Sequence, residues 1–134
     1  MEVLLLDDEP IELAQLELLI NTHYPTWNVH QALSGSEAIR KVDARVEQGE
    51  TFHLAFVDVK LPGRNGLEVA SLIKGKIPGI DIIIVTAFQD FEYAKESIKL
   101  RAFEYVVKPV IEKEFLDVLG KYVLEHPEFG MKNN

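Results

Sequence analysis

Residues 82–85 read Ile-Ile-Ile-Val, four β-branched apolar residues in a row. A strand with one wet face alternates apolar and polar residues, so an unbroken run of this kind needs cover on both faces. It is one of five short apolar runs, which predict strands β1 (3–6), β2 (29–33), β3 (54–57), β4 (82–85) and β5 (105–107). Helical patterns fill the gaps. Pro10 suits a first helical turn, after which Leu13, Leu16 and Ile20 share the face of α1. Ser34 and Glu37 form a capping box for α2, which carries Ala38, Ile39 and Val42. Residues 66–73 give α3, ending near Gly75, and Asp90 caps α4 over 91–100. The stripe Phe115, Val118, Leu119, Tyr122 and Val123 gives α5, which ends before Pro127.

Strand and helix thus alternate five times, which implies a parallel five-stranded sheet between two helical layers. Right-handed crossovers leave few topologies, and the flavodoxin-like (βα)5 order 2-1-3-4-5 leads them. A chain of 134 residues suits one domain. That domain is expected over residues 1–125, with 126–134 (HPEFGMKNN) as a tail or the start of a linker. With no cysteine, disulfides and thiolate metal sites are excluded. The initial apolar run is too short for a signal peptide, and no stretch approaches the ~18 apolar residues of a membrane span. A reducing cytoplasm is the expected compartment. The net charge of −8, from 22 acids against 14 bases, disfavours direct contact with nucleic acid.

In open α/β sheets, ligands bind beyond the carboxyl ends of the strands, at the topological switch point. Asp7 and Asp8 follow β1, Asp58 follows β3, Thr86 follows β4 and Lys108 follows β5. In the expected order β1 and β3 are neighbours, so three carboxylates converge. Each pair of such charges at about 4 Å costs roughly 4 kcal/mol at an effective dielectric of 20. The cluster therefore calls for a cation. Oxygen ligands without His or Cys suit Mg2+, with Mn2+ as a substitute. A carboxylate oxygen held there can attack phosphorus, while Lys108 and the Thr86 hydroxyl stabilise the transferred oxygens.

Four blocks in order, LLLDDEP, FVDVKLPGRNG, IIIVTAF and YVVKP, closely resemble the receiver domain of bacterial two-component response regulators, from Val3 to about Leu124. The stretch TAFQDFEYAKESIKL…YVVKPV further resembles receivers that carry an AraC-type DNA-binding output domain. The resemblance implies that Asp58 accepts a phosphoryl group from a sensor histidine kinase. It implies Mg2+ ligation by Asp8, Asp58 and the backbone carbonyl of Lys60, with Asp7 acting through a water. Lys108 would hold the phosphoryl oxygens, aimed by a cis Lys108–Pro109 bond. Thr86 and Tyr105 match the family's switch pair, which would alter the α4–β5–α5 face to drive homodimerisation or release an output domain.

Two positions depart from the common pattern. Lys60 stands two residues after Asp58, and Arg101 stands where a glycine commonly follows α4. If position 101 needs positive φ, a non-glycine residue there costs on the order of 1 kcal/mol. Phe91 and Tyr93 read as packing or output-face residues. His23, His30, His53 and His126 lack metal-ligand spacing, and Trp27 reads as a packing residue at the start of β2. Three other readings compete with a phosphorylation switch. A pseudo-receiver would serve only as an interaction module, which the complete Asp/Asp/Asp/Thr/Lys set opposes. A phosphatase of the haloacid-dehalogenase type needs an Asp where Lys60 stands. A flavin or nucleotide binder is weakest, since no glycine-rich loop follows β1.

Overall fold

The computed structural model describes residues 1–87, 95–96 and 98–130. Its strands are β1 (Glu2–Leu6), β2 (Asn28–Ala32), β3 (Leu54–Asp58), β4 (Asp81–Thr86) and β5 (Glu104–Val107). They pair in the order β2-β1-β3-β4-β5, and every pairing is parallel. This is the flavodoxin-like sheet expected from the alternation of runs. The long helices are α1 (Pro10–His23), α2 (Gly35–Glu47), α3 (Gly66–Lys76) and α5 (Glu112–Glu125). Of the segment expected as α4, residues 95, 96, 98 and 99 are helical. Its Asp90 cap and the residues Phe91 and Tyr93 lie outside the described residues.

Strand parity divides the core. Leu4, Leu6, Ala55, Val57, Ile82 and Ile84 pack with Ala38 and Val42 of α2 and with Val69, Ala70 and Ile73 of α3. The alternate residues Val3, Leu5, Leu54, Phe56, Ile83 and Val85 pack with Leu13, Leu16 and Ile20 of α1 and with Phe115, Leu119 and Tyr122 of α5. The sheet is therefore the middle of three layers, which is why IIIV could be apolar at every position. Burying such side chains contributes roughly 1.5–3 kcal/mol each.

Local signals set most boundaries. Pro10 occupies the start of α1. At α2 the Ser34 hydroxyl oxygen accepts from the Glu37 N–H at 3.1 Å, while the Glu37 carboxylate accepts from Leu33 N–H at 2.7 Å, one residue earlier than a standard capping box. Asn65 Oδ1 accepts from Leu67 N–H to cap α3 at 2.8 Å. Between β3 and α3 the chain makes a small antiparallel hairpin, Lys60–Leu61 against Arg64–Asn65, around Gly63 at φ 73°. Trp27 precedes β2 by one residue, is buried and stacks on Tyr24.

After α5, Pro127–Phe129 forms a single 3-10 turn. Trp27 Nε1 donates to the Phe129 carbonyl at 2.9 Å, and the Phe129 ring lies against His53. The start of the segment expected as tail or linker is thus tied to the amino-terminal edge of the sheet.

Arg101 has φ 56°, the one positive φ outside glycine among the described residues. The left-handed conformation costs a side chain about 1–2 kcal/mol, part of which glycine would return as unfolded-state entropy. Arg101→Gly should therefore stabilise the domain by about 0.5–1 kcal/mol. Thermal unfolding should register that as a rise in Tm of about 2–4 °C.

Candidate functional site

The carboxyl edge of the sheet gathers the polar residues that the sequence had scattered over the chain. Asp7 follows β1 and is 3% exposed, Asp58 ends β3 at 5%, and Thr86 ends β4 fully buried. These three are the only buried polar or charged side chains among the described residues. Asp8 is exposed beside them. Carboxylate oxygens of Asp7, Asp8 and Asp58 all lie within 4.8 Å of one another, so the donor set is oxygen only and carries three charges. That set suits a hard divalent cation.

Lys108, just past β5, is the resident cation. Its Nζ donates to Asp7 Oδ2 at 2.8 Å and to Asp58 Oδ2 at 3.0 Å. Burial alone would push the ammonium down, but the hydrogen bonds and charges of Asp7 and Asp58 outweigh it and hold Lys108 above the ordinary lysine range. Burial also pushes the Asp58 carboxyl up, and the pull of Lys108 does not fully offset it. The peptide bond between Lys108 and Pro109 is cis, as the resemblance implied.

Other parts of the site fall into place around Asp58. Its Oδ1 accepts from the Lys60 N–H at 3.3 Å, so the hairpin's first residue orients the carboxylate through the backbone, while the Lys60 side chain is exposed. Gly66 has a reason beyond helix initiation. A Cβ there would lie 1.9 Å from the Asp58 carbonyl oxygen, so only glycine lets α3 begin this close to β3. Thr86 and Tyr105 stand on neighbouring strands. Tyr105 pairs with Ile84, two residues before Thr86, so both lie on the sheet face covered by α2 and α3. Tyr105 is half-buried there.

Two acidic residues not singled out in the sequence also reach the site. Glu12 Oε1 lies 3.4 Å and Glu9 Oε1 3.8 Å from Lys108 Nζ. Glu12 is the more buried of the two, and that burial pushes its carboxyl up against the attraction of Lys108. An acidic residue one step before the Leu13–Leu16–Ile20 stripe looks like a solvated position, and only the inward reach of Lys108 makes it part of the site.

Comparison with known proteins agrees with this geometry. The family described as "Response regulator receiver domain" matches residues 3–119. The chain is 30% identical over 130 residues to the uncharacterized transcriptional regulatory protein YesN of Bacillus subtilis, covering 92% of this chain and 33% of YesN. It thus spans about a third of that curated relative. A receiver domain protein described as CheY-like, from Methanospirillum hungatei, has a TM-score of 0.81 at 25% identity, covering 95% of this chain and 96% of that one. The response regulator TrrA of Thermotoga maritima, solved in complex with Mg2+-BeF, has a TM-score of 0.72 at 29% identity, covering 90% and 96%.

Two outcomes follow from the site as built. The folded state holds the Asp58 proton more tightly than the unfolded chain, so stability falls as pH rises from the ordinary carboxylate value through the raised one. Asp58→Asn removes that fall. In chelator the Asn variant should unfold at a higher temperature than wild type at neutral pH, with the gap closing in acid. Gly66→Ala forces backbone apart and should cost about 2–4 kcal/mol, read from the denaturant midpoint.

Proposed function

Since the chain belongs to the response regulator receiver domain family, we propose that Asp58 is its phosphoacceptor, taking a phosphoryl group from the phosphohistidine of a sensor histidine kinase. The observation that carries this reading is the Lys108 ammonium bridging Asp7 and Asp58 at the ends of two adjacent strands, with Asp8 exposed at the mouth. Receiver domains act as phosphotransfer switches. In this reading the chain catalyses only its own phosphorylation and dephosphorylation, and has no turnover chemistry on other substrates.

A carboxylate oxygen of Asp58 forms the bond to phosphorus, and the bond between phosphorus and the donor breaks with its electron pair leaving on the donor. Asp8, Asp58 and the Lys60 carbonyl would hold Mg2+, with Asp7 acting through a water; Mn2+ is the substitute. The bound ion supplies charge neutralisation between the carboxylates and the phosphoryl oxygens. Lys108 moves its donated hydrogen bond from Asp58 to a phosphoryl oxygen while keeping Asp7, so the ammonium never loses a carboxylate partner. The Lys60 N–H holds the other Asp58 oxygen in place.

Thr86 and Tyr105 then form the switch. A phosphoryl oxygen draws the Thr86 hydroxyl toward Asp58, and Tyr105, on the same face, turns into the space released. The α4–β5–α5 face changes with it. Ile98 of α4 and Leu124 of α5 are 75% and 82% exposed and available for contact there, as Ile11 and Leu18 are on α1. We assign that face to homodimerisation or to contact with the protein's own output domain. YesN, by its printed name a transcriptional regulatory protein, makes a DNA-binding output the favoured one. The receiver itself makes no nucleic-acid contact at a net charge of −8. No described helix is long and apolar enough to cross a membrane, and the cytoplasm is the proposed compartment.

Incubation with acetyl phosphate and Mg2+ should add the mass of one phosphoryl group, as an alkali-labile adduct. The adduct should be absent in Asp58→Ala. An unmodified wild-type chain would overturn the reading in favour of a pure interaction module.

A further inference from the structure

An ammonium has three N–H donors. In Lys108 two are spent on Asp7 and Asp58, and the third faces a second group of carboxylates. Asp7, Glu9 and Glu12 place carboxylate oxygens within 4.8 Å of one another, and each also lies within 4.0 Å of Lys108 Nζ. The lysine is therefore the cation of this second cluster as well as of the first. Of five acidic side chains gathered here, Asp7, Glu9, Glu12 and Asp58 pair with the one base, and Asp8 stands beside Asp7 and Asp58.

Glu12 differs from the other four in its place. It lies within α1 and not at the sheet edge, and of the two acids outside the Asp7–Asp8–Asp58 set it is the less exposed, at 25% against 64% for Glu9. Glu12 Oε1 lies 3.4 Å from the same Lys108 Nζ that donates to Asp58 at 3.0 Å, so the two carboxylates share one ammonium. We propose that Glu12 is a positioning residue that restrains phosphorylation. It competes with the phosphoryl oxygens for Lys108, and its charge repels the incoming dianion. The inference rests on Asp58 being the phosphoacceptor.

With acetyl phosphate as donor, an Asp58 carboxylate oxygen bonds to phosphorus and acetate leaves with the electron pair of the broken P–O bond. No proton need move, so charge on the phosphoryl oxygens is what the site must neutralise. A neutral side chain at position 12 leaves Lys108 with Asp7 as its anchor and frees a donor for those oxygens. Glu9 is farther, at 3.8 Å, and 64% exposed, so solvent screens it and its influence should be smaller.

The test is the rate of Asp58 phosphorylation by acetyl phosphate and Mg2+, followed by intact mass, in wild type, Glu12→Gln, Glu12→Ala, Glu12→Asp and Glu9→Gln. Glu12→Gln and Glu12→Ala should raise the second-order rate constant about two- to tenfold, mainly by lowering the donor concentration at half-maximal rate. Glu12→Asp, which keeps the charge, should stay near wild type, and Glu9→Gln should gain less than Glu12→Gln. The gain should shrink at high ionic strength and with the less negatively charged donor phosphoramidate. Thermal unfolding of each variant identifies any fold defect, which a partly exposed helix-surface position should not produce. Equal or slower rates in Glu12→Gln overturn the inference, as does a gain indifferent to salt and donor charge. Absence of any adduct in wild type would instead defeat the phosphoacceptor reading on which the inference rests.

Discussion

The contact on which the rest of this structure depends is the Lys108 ammonium held between Asp7 and Asp58. Two carboxylates exposed by 3% and 5% are buried at the ends of adjacent strands, where their mutual repulsion would be expensive. Lys108 comes from β5, separated from β3 by the whole width of β4. Neighbouring strands lie about 4.8 Å apart, so the reach is about two strand spacings. A long, flexible stem with a compact charge suits it, which a planar guanidinium would not match in the same space. The strand order thus decides where the charge can go. With β1 and β3 side by side the carboxylates meet, and with β5 at the edge the lysine enters over the top of β4.

The core supplies the energy that makes this tolerable. Leu54, Phe56 and Val57 of β3 are essentially fully buried, and each contributes roughly 1.5–3 kcal/mol. Their sum exceeds the few kcal/mol that a partnered buried carboxylate costs. Asp58 can remain at the strand's end because the residues before it leave that strand no other register. The opposite edge of the sheet is calmer. Tyr122 donates its hydroxyl to Asp81 at 2.9 Å, the Glu2 N–H donates to His53 Nδ1 at 3.0 Å, and Trp27 secures the Phe129 carbonyl. Polar groups there form local networks of their own, Asp81 also facing His126 at 3.5 Å and the Glu2 carboxylate pairing with Asn28, His30 and Arg45. At the carboxyl edge one lysine is shared among four acids, Asp7, Glu9, Glu12 and Asp58.

Much of this was legible in the order of residues because period and position are local properties. The unbroken Ile82–Val85 run announced a strand covered twice, and the parity of every other strand then followed once helices lay on both faces. The five site residues were legible for a topological reason, since Asp7, Asp58, Thr86 and Lys108 each end or directly follow a strand and Asp8 comes next after Asp7. What stayed hidden depends on tertiary distance. Glu12 is an ordinary acidic helix residue until Lys108 arrives from ninety-six positions away in the chain. Gly66 could be read as a helix start, but its contact with the Asp58 carbonyl exists only once α3 packs back on β3. The docking of Phe129 on Trp27 joins residues at opposite ends of the chain, and no local pattern encodes it.

Thr86 links the charged edge to the packed layer beneath. It is fully buried, and its strand neighbours Ile84 and Ile82 belong to the cluster packed on α2 and α3. Tyr105 borders that same cluster but is only half-buried. Close-packed interiors do not stretch smoothly, so a displaced buried side chain must be compensated by another that has room to move. On this face the fully buried strand residues leave no such room, whereas Tyr105 has solvent on one side. If a phosphoryl group on Asp58 draws the Thr86 hydroxyl, the ring of Tyr105 is the nearby large group able to change place without opening the core. The path from charge to surface then runs across one strand pairing, from Thr86 to Tyr105, and leaves the hydrogen-bonded ladder of β4 and β5 intact.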